Sequence, residues 1–229
     1  MRQFFYKYRK FLLLFAAVSG VILLLFYRAL KPKPALPIFQ PAGVNAELVD
    51  NSIQYVKKFH RIADFELQNQ NGENITHKKF DGKIYIADFI FTTCPSICPI
   101  MTTNMGEIQQ QVLQKSHVQL VSFSVTPEID SVPQLKKYAL EKGVVDTKWD
   151  LLTGPKKTIY DLARKSYLVA KIEPNEDPYA LIHTENFVLV DPLRRIRGYY
   201  DGTNSEAMQQ LLEDLQILEA EFFEESEAF

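Results

Sequence analysis

The chain has 229 residues, of which 46% are hydrophobic and 24% are charged, a balance typical of a globular protein. Its formal net charge of −2 is unevenly divided: residues 1–33 carry seven bases and no acid, whereas residues 34–229 carry 19 bases and 28 acids. This acidic body argues against a nucleic-acid-binding protein, which needs clustered lysines and arginines to neutralise phosphates.

The basic N-terminal part flanks an uncharged run, FLLLFAAVSGVILLLFY, from Phe11 to Tyr27. A helix of that length measures roughly 26 Å, just enough to cross a thin bilayer core. A cleaved signal peptide is the alternative, but the apolar run contains no convincing small-residue cleavage site. We therefore predict that residues 1–30 form an uncleaved membrane anchor. The bases before it favour a cytoplasmic N-terminus, with the body outside the cytoplasm.

Residues 31–58 follow as a lead-in that starts with a proline-rich tether. From residue 59 to residue 229 the pattern indicates one folded domain. The NQNG turn between two short alternating runs predicts a β-hairpin from Phe65 to Ile75. The apolar segment KIYIADFIF, Lys83–Phe91, predicts a buried central strand.

Helices and strands then alternate along the chain. A helix is predicted from Ile97 to Lys115, with four apolar residues available for one face: Ile100, Ile108, Val112 and Leu113. The remaining predicted elements are a strand at 118–125, helices at 133–142 and 156–166, strands at 167–172 and 186–191, a hairpin arm at 195–202 and an amphipathic helix at 205–222. This order predicts an α/β sandwich with helices on both faces of a mixed sheet.

The two cysteines of the chain, Cys94 and Cys98, lie in FTTCPSICP directly after the predicted central strand. A disulfide between them would close a loop of about five residues and remove little entropy from the unfolded chain. Residues four apart on a helix have Cβ atoms about 5–6 Å apart, whereas a disulfide needs about 3.5–4.5 Å. A shared metal tolerates sulfurs about 4 Å apart, and a helix N-terminus favours thiolates. The spacing therefore favours a metal site and leaves a redox couple open.

A metal site needs a third ligand besides two thiolates, and the chain has four histidines. Three of them lie in charged or polar connections and are predicted to be surface or structural residues: His60, His77 and His117. His183 precedes a strong predicted strand, a position that is more often structural, but the cysteine pair makes it a candidate ligand. Met101 and Met105 offer soft thioethers beyond Cys98, although a methionine stripe at helical spacing usually fills a core.

These residues resemble the Sco/SenC family of copper-binding cytochrome oxidase assembly proteins. The matching pieces are FTTCPSICP, LVSFSVTPEID at 120–130, LLTG at 151–154 and HTENFVLVDP at 183–192. With the single N-terminal anchor, the likeness extends from about Phe65 to the last helix. It implies a thioredoxin-like fold with family-specific insertions, which specifies the α/β sandwich predicted above.

The resemblance also implies that Cys94, Cys98 and His183 bind copper, as Cu(I) or Cu(II). The implied role is to deliver copper to the binuclear copper centre of cytochrome c oxidase during assembly, or to keep the cysteines of that centre reduced. The implied partners are the copper-bearing oxidase subunit and a copper donor protein. The family commonly has Gly at Ile90 and Asp at Ser96 and Thr126. An acid at Thr126 could orient a ligand or assist thiol exchange, so this departure concerns redox chemistry more than metal binding.

Other functions remain open on the residues alone. Two thiolates and an imidazole suit copper in either oxidation state, and with a bound water they also suit catalytic zinc, although no general base is evident nearby. The main alternative is an enzyme, a thiol–disulfide oxidoreductase or thiol peroxidase that uses Cys94 and Cys98 as attacking and resolving thiols. That alternative lacks the usual Cys-x-x-Cys spacing and gives His183 no role. A third is an interaction domain with incidental cysteines. We expect a copper carrier rather than an enzyme.

Overall fold

The computed structural model describes residues 8–30, 35–170, 182 and 184–223. It divides the chain into two compact units, Met1–Pro34 and Ala35–Phe229. In the first unit, helix α1 (Arg9–Leu30) forms from the apolar run. Its stretch Arg9–Tyr27 has a mean hydropathy of 2.3 and is not buried by protein, so by length and composition it is able to cross a bilayer.

The second unit begins with a lead-in that packs against the rest of the unit and then forms the predicted hairpin. Strand β1 (Glu66–Gln68) pairs antiparallel with β2 (Asn74–Thr76), with Leu67 opposite Ile75. The hairpin is tied to the main body by two backbone hydrogen bonds between Gln68 and Thr153, of 2.9 and 2.8 Å. The predicted N-terminal β-hairpin is therefore confirmed.

Five further strands form one mixed sheet: β3 (Ile84–Ile90), β4 (Val118–Ser124), β5 (Trp149–Leu152), β6 (Asn186–Val190) and β7 (Ile196–Asp201). Their order across the sheet is β5-β4-β3-β6-β7. β3, β4 and β5 run parallel, whereas β6 is antiparallel to both β3 and β7. Every residue of β3 and β4 is buried, because both faces of the sheet are covered, and this explains their continuous apolar runs.

Helices cover the two faces: α2 (Ile97–Val112), α3 (Val132–Lys142), α4 (Lys156–Asp161) continued by a π-helical turn (Leu162–Ser166), and α5 (Ser205–Phe222). Residues of β3 alternate between two hydrophobic clusters. Tyr85 and Phe89 belong to the cluster with the α4 segment, and Ile86 and Ile90 to the cluster with α2, α3 and α5. The predicted mixed sheet with helices on both faces is confirmed.

Several local predictions differ from the structure. Tyr167–Ala170 is buried but is not a strand, because Leu168 takes a φ of 57° and the Val169 N–H is bonded to the Ala163 carbonyl of the π-helical turn. The rest of that predicted strand lies outside the described residues. Strand β5 was not predicted. Helix α2 ends at Val112 rather than Lys115, and its Ile100 is 49% exposed, since Met101 and Met105 occupy the buried face instead.

Candidate metal centre

The two cysteines lie where the central strand passes into the first helix of the second unit. The Cys94 N–H donates to the Phe91 carbonyl at 3.2 Å, which forms a tight turn after β3. Ser96 occupies the N-cap position of α2 without a capping hydrogen bond from its side chain, and Cys98 stands in the first turn of that helix. Both thiols are free, with exposed fractions of 8% for Cys94 and 3% for Cys98. The structure therefore offers two neighbouring reduced sulfurs at a helix N-terminus.

The Cys94 sulfur is prepared to carry negative charge. Burial raises the pKa of its thiol, but backbone N–H groups of Cys98 and Ser96, and the side chains of the same two residues, lower that pKa to about 7. The Ser96 hydroxyl lies 3.7 Å from the Cys94 sulfur. N–H groups in the first turn of a helix lack partners within the helix, so an anionic acceptor placed there is stabilised. Cys94 is therefore the member of the pair that more readily becomes a thiolate.

Cys98 has the opposite character. Burial raises the pKa of its thiol to about 12; a hydrogen bond with the Phe91 backbone opposes that rise, and Cys94 and Asp88 add smaller increases. Cys98 therefore holds its proton at neutral pH unless a metal or a partner removes it. The two thiols differ because one accepts hydrogen bonds at the loop and the other is enclosed by the core.

A buried acid, Asp88, lies on the same side of the sheet as the cysteines. Burial raises its pKa to about 7. Ser122 lies opposite Asp88 on β4 and offsets that rise in part, although the two side chains do not meet the geometry of a hydrogen bond. In the described part of the chain neither carboxyl oxygen has a hydrogen-bond partner. Asp88 is not among the site residues predicted from the sequence, although an acid within the apolar run KIYIADFIF is a signal that the sequence contains.

A second buried acid, Asp130, holds the cysteine loop in place. Its side chain accepts hydrogen bonds from the Thr92 N–H at 3.2 Å and from the Thr92 hydroxyl at 2.6 Å. It also accepts from the hydroxyls of Ser124 at 2.6 Å and Thr126 at 3.0 Å. Asp130 therefore joins the end of β4 to the cysteine loop at Thr92, which is two residues before Cys94. The Thr126 hydroxyl, at a position where the resembled family commonly has Asp, is one of the donors in this junction.

The other candidate ligands have different outcomes. His60, His77 and His117 have structural partners, namely the Ser166 carbonyl at 2.7 Å, Asp64 at 3.4 Å and Glu219 at 2.8 Å respectively. Met101 and Met105 are fully buried in the hydrophobic cluster of α2, as expected of core residues. Among the described residues, no three His, Cys, Asp or Glu side chains form a group able to hold a metal ion.

His183 lies outside the described residues. Its two neighbours, Ile182 and Thr184, are both buried. Thr184 leads directly into β6, which pairs antiparallel with β3 in a register that places Val188 beside Ala87. The beginning of β6 and the end of β3 are consequently at the same edge of the sheet, the edge from which the cysteine loop emerges.

Comparison with known proteins gives consistent matches over about two thirds of the chain. The SCO1/SenC family model matches residues 54–218. The SCO1 protein homolog of Bacillus subtilis is 35% identical over 159 residues, covering 68% of this chain and 81% of that protein. BsSco, described as a member of the Sco family of cytochrome c oxidase assembly proteins with a disulfide switch, has a TM-score of 0.59 at 31% identity, over 69% of this chain and 93% of its own.

A further solved structure, ScoI of Bradyrhizobium japonicum with copper bound, has a TM-score of 0.54 at 26% identity, over 68% of this chain and 99% of its own. The residues matched by the family model lie in the second unit. The expected thioredoxin-like fold is confirmed by these structural neighbours.

Proposed function

This chain belongs to the SCO1/SenC family, and we propose that it binds copper at its cysteine loop and serves the assembly of cytochrome c oxidase. The ligands that we assign to copper are Cys94, Cys98 and His183. The observation that carries the proposal is the pair of free thiols at the start of α2, one of which has a pKa of about 7. Soft thiolates with an imidazole suit copper better than the harder divalent ions.

The two thiols contribute differently to copper binding. Cys94 is about half ionised at neutral pH and supplies a ready ligand. Cys98 must give up its proton when the metal is loaded, because burial raises the pKa of its thiol. Loading is therefore expected to release a proton and to become tighter as the pH rises. The buried surroundings of Cys98 then exclude water from the bound ion.

The support for His183 comes from strand register and donor chemistry. The chain enters β6 at the edge of the sheet that carries the cysteine loop, and His183 is three residues before Asn186, the first residue of β6. In the described part of the chain the other three histidines are engaged elsewhere, by Ser166, Asp64 and Glu219. An imidazole from this point of the chain completes a three-coordinate set.

The finer role that we propose is delivery of copper to the binuclear copper centre of the oxidase, or reduction of the cysteines of that centre. Its partners are then the copper-bearing oxidase subunit and a copper donor protein. We further propose that residues 1–30 anchor the chain with a cytoplasmic N-terminus and that residues 31–58 lead into an extracytoplasmic copper-binding domain, residues 59–229. The apolar helix α1 supports the anchor by its length and composition.

The test is an oxygen-free Cu(I) titration of the reduced protein against a competing chelator. We compare the wild type with Cys94→Ser, Cys98→Ser and His183→Ala, and use His117→Ala as a matched control, because His117 pairs with Glu219 on α5. The proposal expects one tight site that is weakened by at least about tenfold in the first three variants and unchanged in the control. If His183→Ala binds copper as tightly as the wild type, that residue is not a ligand.

Thiol–disulfide exchange is the second candidate function, and the difference between the two thiols favours it. In this reaction Cys94 attacks a partner disulfide, and Cys98 then displaces the reduced partner, so that two electrons and two protons pass to the partner and Cys94 and Cys98 become disulfide-bonded. Turnover with a protein disulfide that persists in His183→Ala would support this activity. A single stoichiometric exchange without turnover would count against an enzyme.

A further inference from the structure

The second unit displays an aromatic and basic segment, Tyr55–Arg61, with the sequence YVKKFHR. Two of its rings are turned to solvent, with exposed fractions of 77% for Tyr55 and 89% for Phe59. The fraction for Phe59 is the highest among the exposed large hydrophobic side chains of the described residues. Single exposed apolar residues are ordinary, but two aromatic rings within five residues among bases are not explained by folding alone.

Hydrogen bonds fix the segment to the rest of the second unit, so its two rings are exposed on an ordered backbone. Val56 accepts a backbone hydrogen bond from Ala42 at 3.0 Å, and the His60 N–H donates to the Gln40 side chain at 3.0 Å. Between these two points Phe59 has a φ of 67°, an unfavourable backbone conformation for a residue other than glycine. The fold therefore maintains a strained backbone that presents a large apolar ring to solvent.

The bases of the segment are uncompensated. Lys57, Lys58 and Arg61 are exposed, and in the described residues none of them forms an ion pair, although the body as a whole is acidic. A shallow cavity of about 380 Å³ lies at the segment, and its eight lining residues are Ile38, Gln40, Lys57, Lys58, Phe59, His60, Arg61 and Arg195. Arg195 already pairs with Asp191, so the free positive charge comes from the segment itself.

We propose that Tyr55–Arg61 is a docking surface for a membrane that contains anionic phospholipid. Lysine and arginine near such a surface are attracted to its headgroups, and Phe and Tyr rings insert at the interface between headgroups and acyl chains. Three free bases beside two exposed rings provide both attractions without a shaped pocket. An acidic protein surface is the competing partner, but it would require complementary shape around rings that stand almost fully free.

The position of the segment in the chain adds a second argument, which rests on the proposed membrane anchor. Ile38 lines the same cavity and is eight residues after Leu30, the last residue of α1. Whatever arrangement the two units adopt, eight extended residues reach at most roughly 28 Å. When α1 is held in a membrane, Ile38 stays within that distance of the end of the anchor, and the tether raises the effective concentration of this surface near the bilayer. Docking would limit the orientations in which the domain presents its cysteine loop.

The experiment uses the full chain with Phe59→Trp, reconstituted into vesicles of phosphatidylcholine alone or mixed with phosphatidylglycerol. Brominated lipids in each composition quench a ring that lies at the interface, and the parent chain supplies the background from Trp149, which is buried in the core. We expect the added emission to fall roughly twofold in the anionic vesicles, since interfacial rings lie about 5–10 Å deep, and to recover in high salt.

Two charge variants make the test specific. Reversal of the segment's three positive charges by Lys57→Glu, Lys58→Glu and Arg61→Glu is expected to abolish the quenching. The matched control reverses three other exposed bases, Lys78→Glu, Lys137→Glu and Lys142→Glu, and is expected to leave it unchanged. Equal quenching in neutral and anionic vesicles, or none in either, would overturn the proposal. So would quenching that appears only when the vesicles carry an acidic membrane protein, because the partner is then that protein.

Failure of the proposed function would look different. If α1 is not an anchor, the full chain does not float with neutral vesicles in a density gradient, whereas failure of docking leaves it afloat and unquenched. Copper affinity, measured by the chelator titration, is expected to be the same in the segment-reversed variant and in the wild type. A membrane result and a copper result can therefore be judged separately.

Discussion

Asp130 provides a direct test of how the fold holds the cysteine loop. Its side chain is fully buried and accepts four hydrogen bonds, from the Thr92 N–H, the Thr92 hydroxyl, Ser124 and Thr126. A buried hydrogen bond contributes about 0.5–1.5 kcal/mol to the free energy of unfolding. Asp130→Ala removes all four, so we expect that free energy to fall by about 2–6 kcal/mol. Asp130→Asn keeps one acceptor oxygen and is expected to lose only about 1–2 kcal/mol.

The same substitution should weaken the copper site, because Thr92 is two residues before Cys94 and loses its tie to β4. Residues that orient metal ligands typically change affinity by about 10–100-fold, and we expect a loss in that range for Asp130→Ala. Urea denaturation of the apoprotein measures the first effect, and Cu(I) competition measures the second.

The matched control is Asp191→Ala, since Asp191 is equally buried but ties the β6–β7 turn through Leu193 and Arg195. This variant is expected to lose stability and keep its copper affinity. Wild-type copper affinity in Asp130→Ala would refute the view that this carboxyl positions the loop.

Three further predictions concern thiol reactivity, pH dependence and backbone substitution. At pH 7 iodoacetamide should modify Cys94 before Cys98. Hydrogen bonds at the helix start bring the Cys94 pKa to about 7, whereas burial raises the Cys98 pKa to about 12. Peptide mass spectrometry that found Cys98 modified first would contradict this prediction. Burial raises the pKa of Asp88 to about 7, so the native state keeps a proton that the unfolded chain releases near pH 4. The free energy of unfolding should therefore fall by about 1.4 kcal/mol per pH unit as pH rises between these values. Asp88→Asn should flatten this dependence of the free energy on pH. If the dependence is unchanged in the variant, Asp88 ionises normally. Gly106→Ala should stabilise α2 by about 0.5–1 kcal/mol, since no atom outside the helix backbone stands within 4 Å of the added Cβ. Gly198→Ala should instead lower the free energy of unfolding by about 1–3 kcal/mol, because its Cβ would overlap the Tyr200 ring. Equal shifts of the two variants in thermal unfolding would refute this comparison.

Much of the fold could be predicted from the sequence, where the signal is local and strong. The apolar run of β3, the helical periodicity of α5 and the turn of the β1–β2 hairpin each identify an element from neighbouring residues alone. The last helix has the predicted limits, Ser205–Phe222. The cysteine pair was also visible, because its position after a buried strand and before a helix depends only on chain order.

Other features depend on contacts between distant parts of the chain. Strand β5 has four residues, too few to show a period, and is a strand because it pairs with β4. Tyr167–Ala170 has the composition of a strand, but hydrogen bonds to the preceding π-helical turn and the left-handed Leu168 prevent it from joining the sheet.

The sequence by itself determined the apolar helix, the order of the main elements and the position of the two thiols that we propose as metal ligands. The tertiary structure decided which groups surround those thiols. Asp130 reaches Thr92 across 38 residues of chain, and Asp88 becomes an acid with a raised pKa only when helices cover β3. Periodicity reports the neighbours of a residue along the chain, whereas hydrogen-bond partners and desolvation depend on neighbours in space, which only packing brings together.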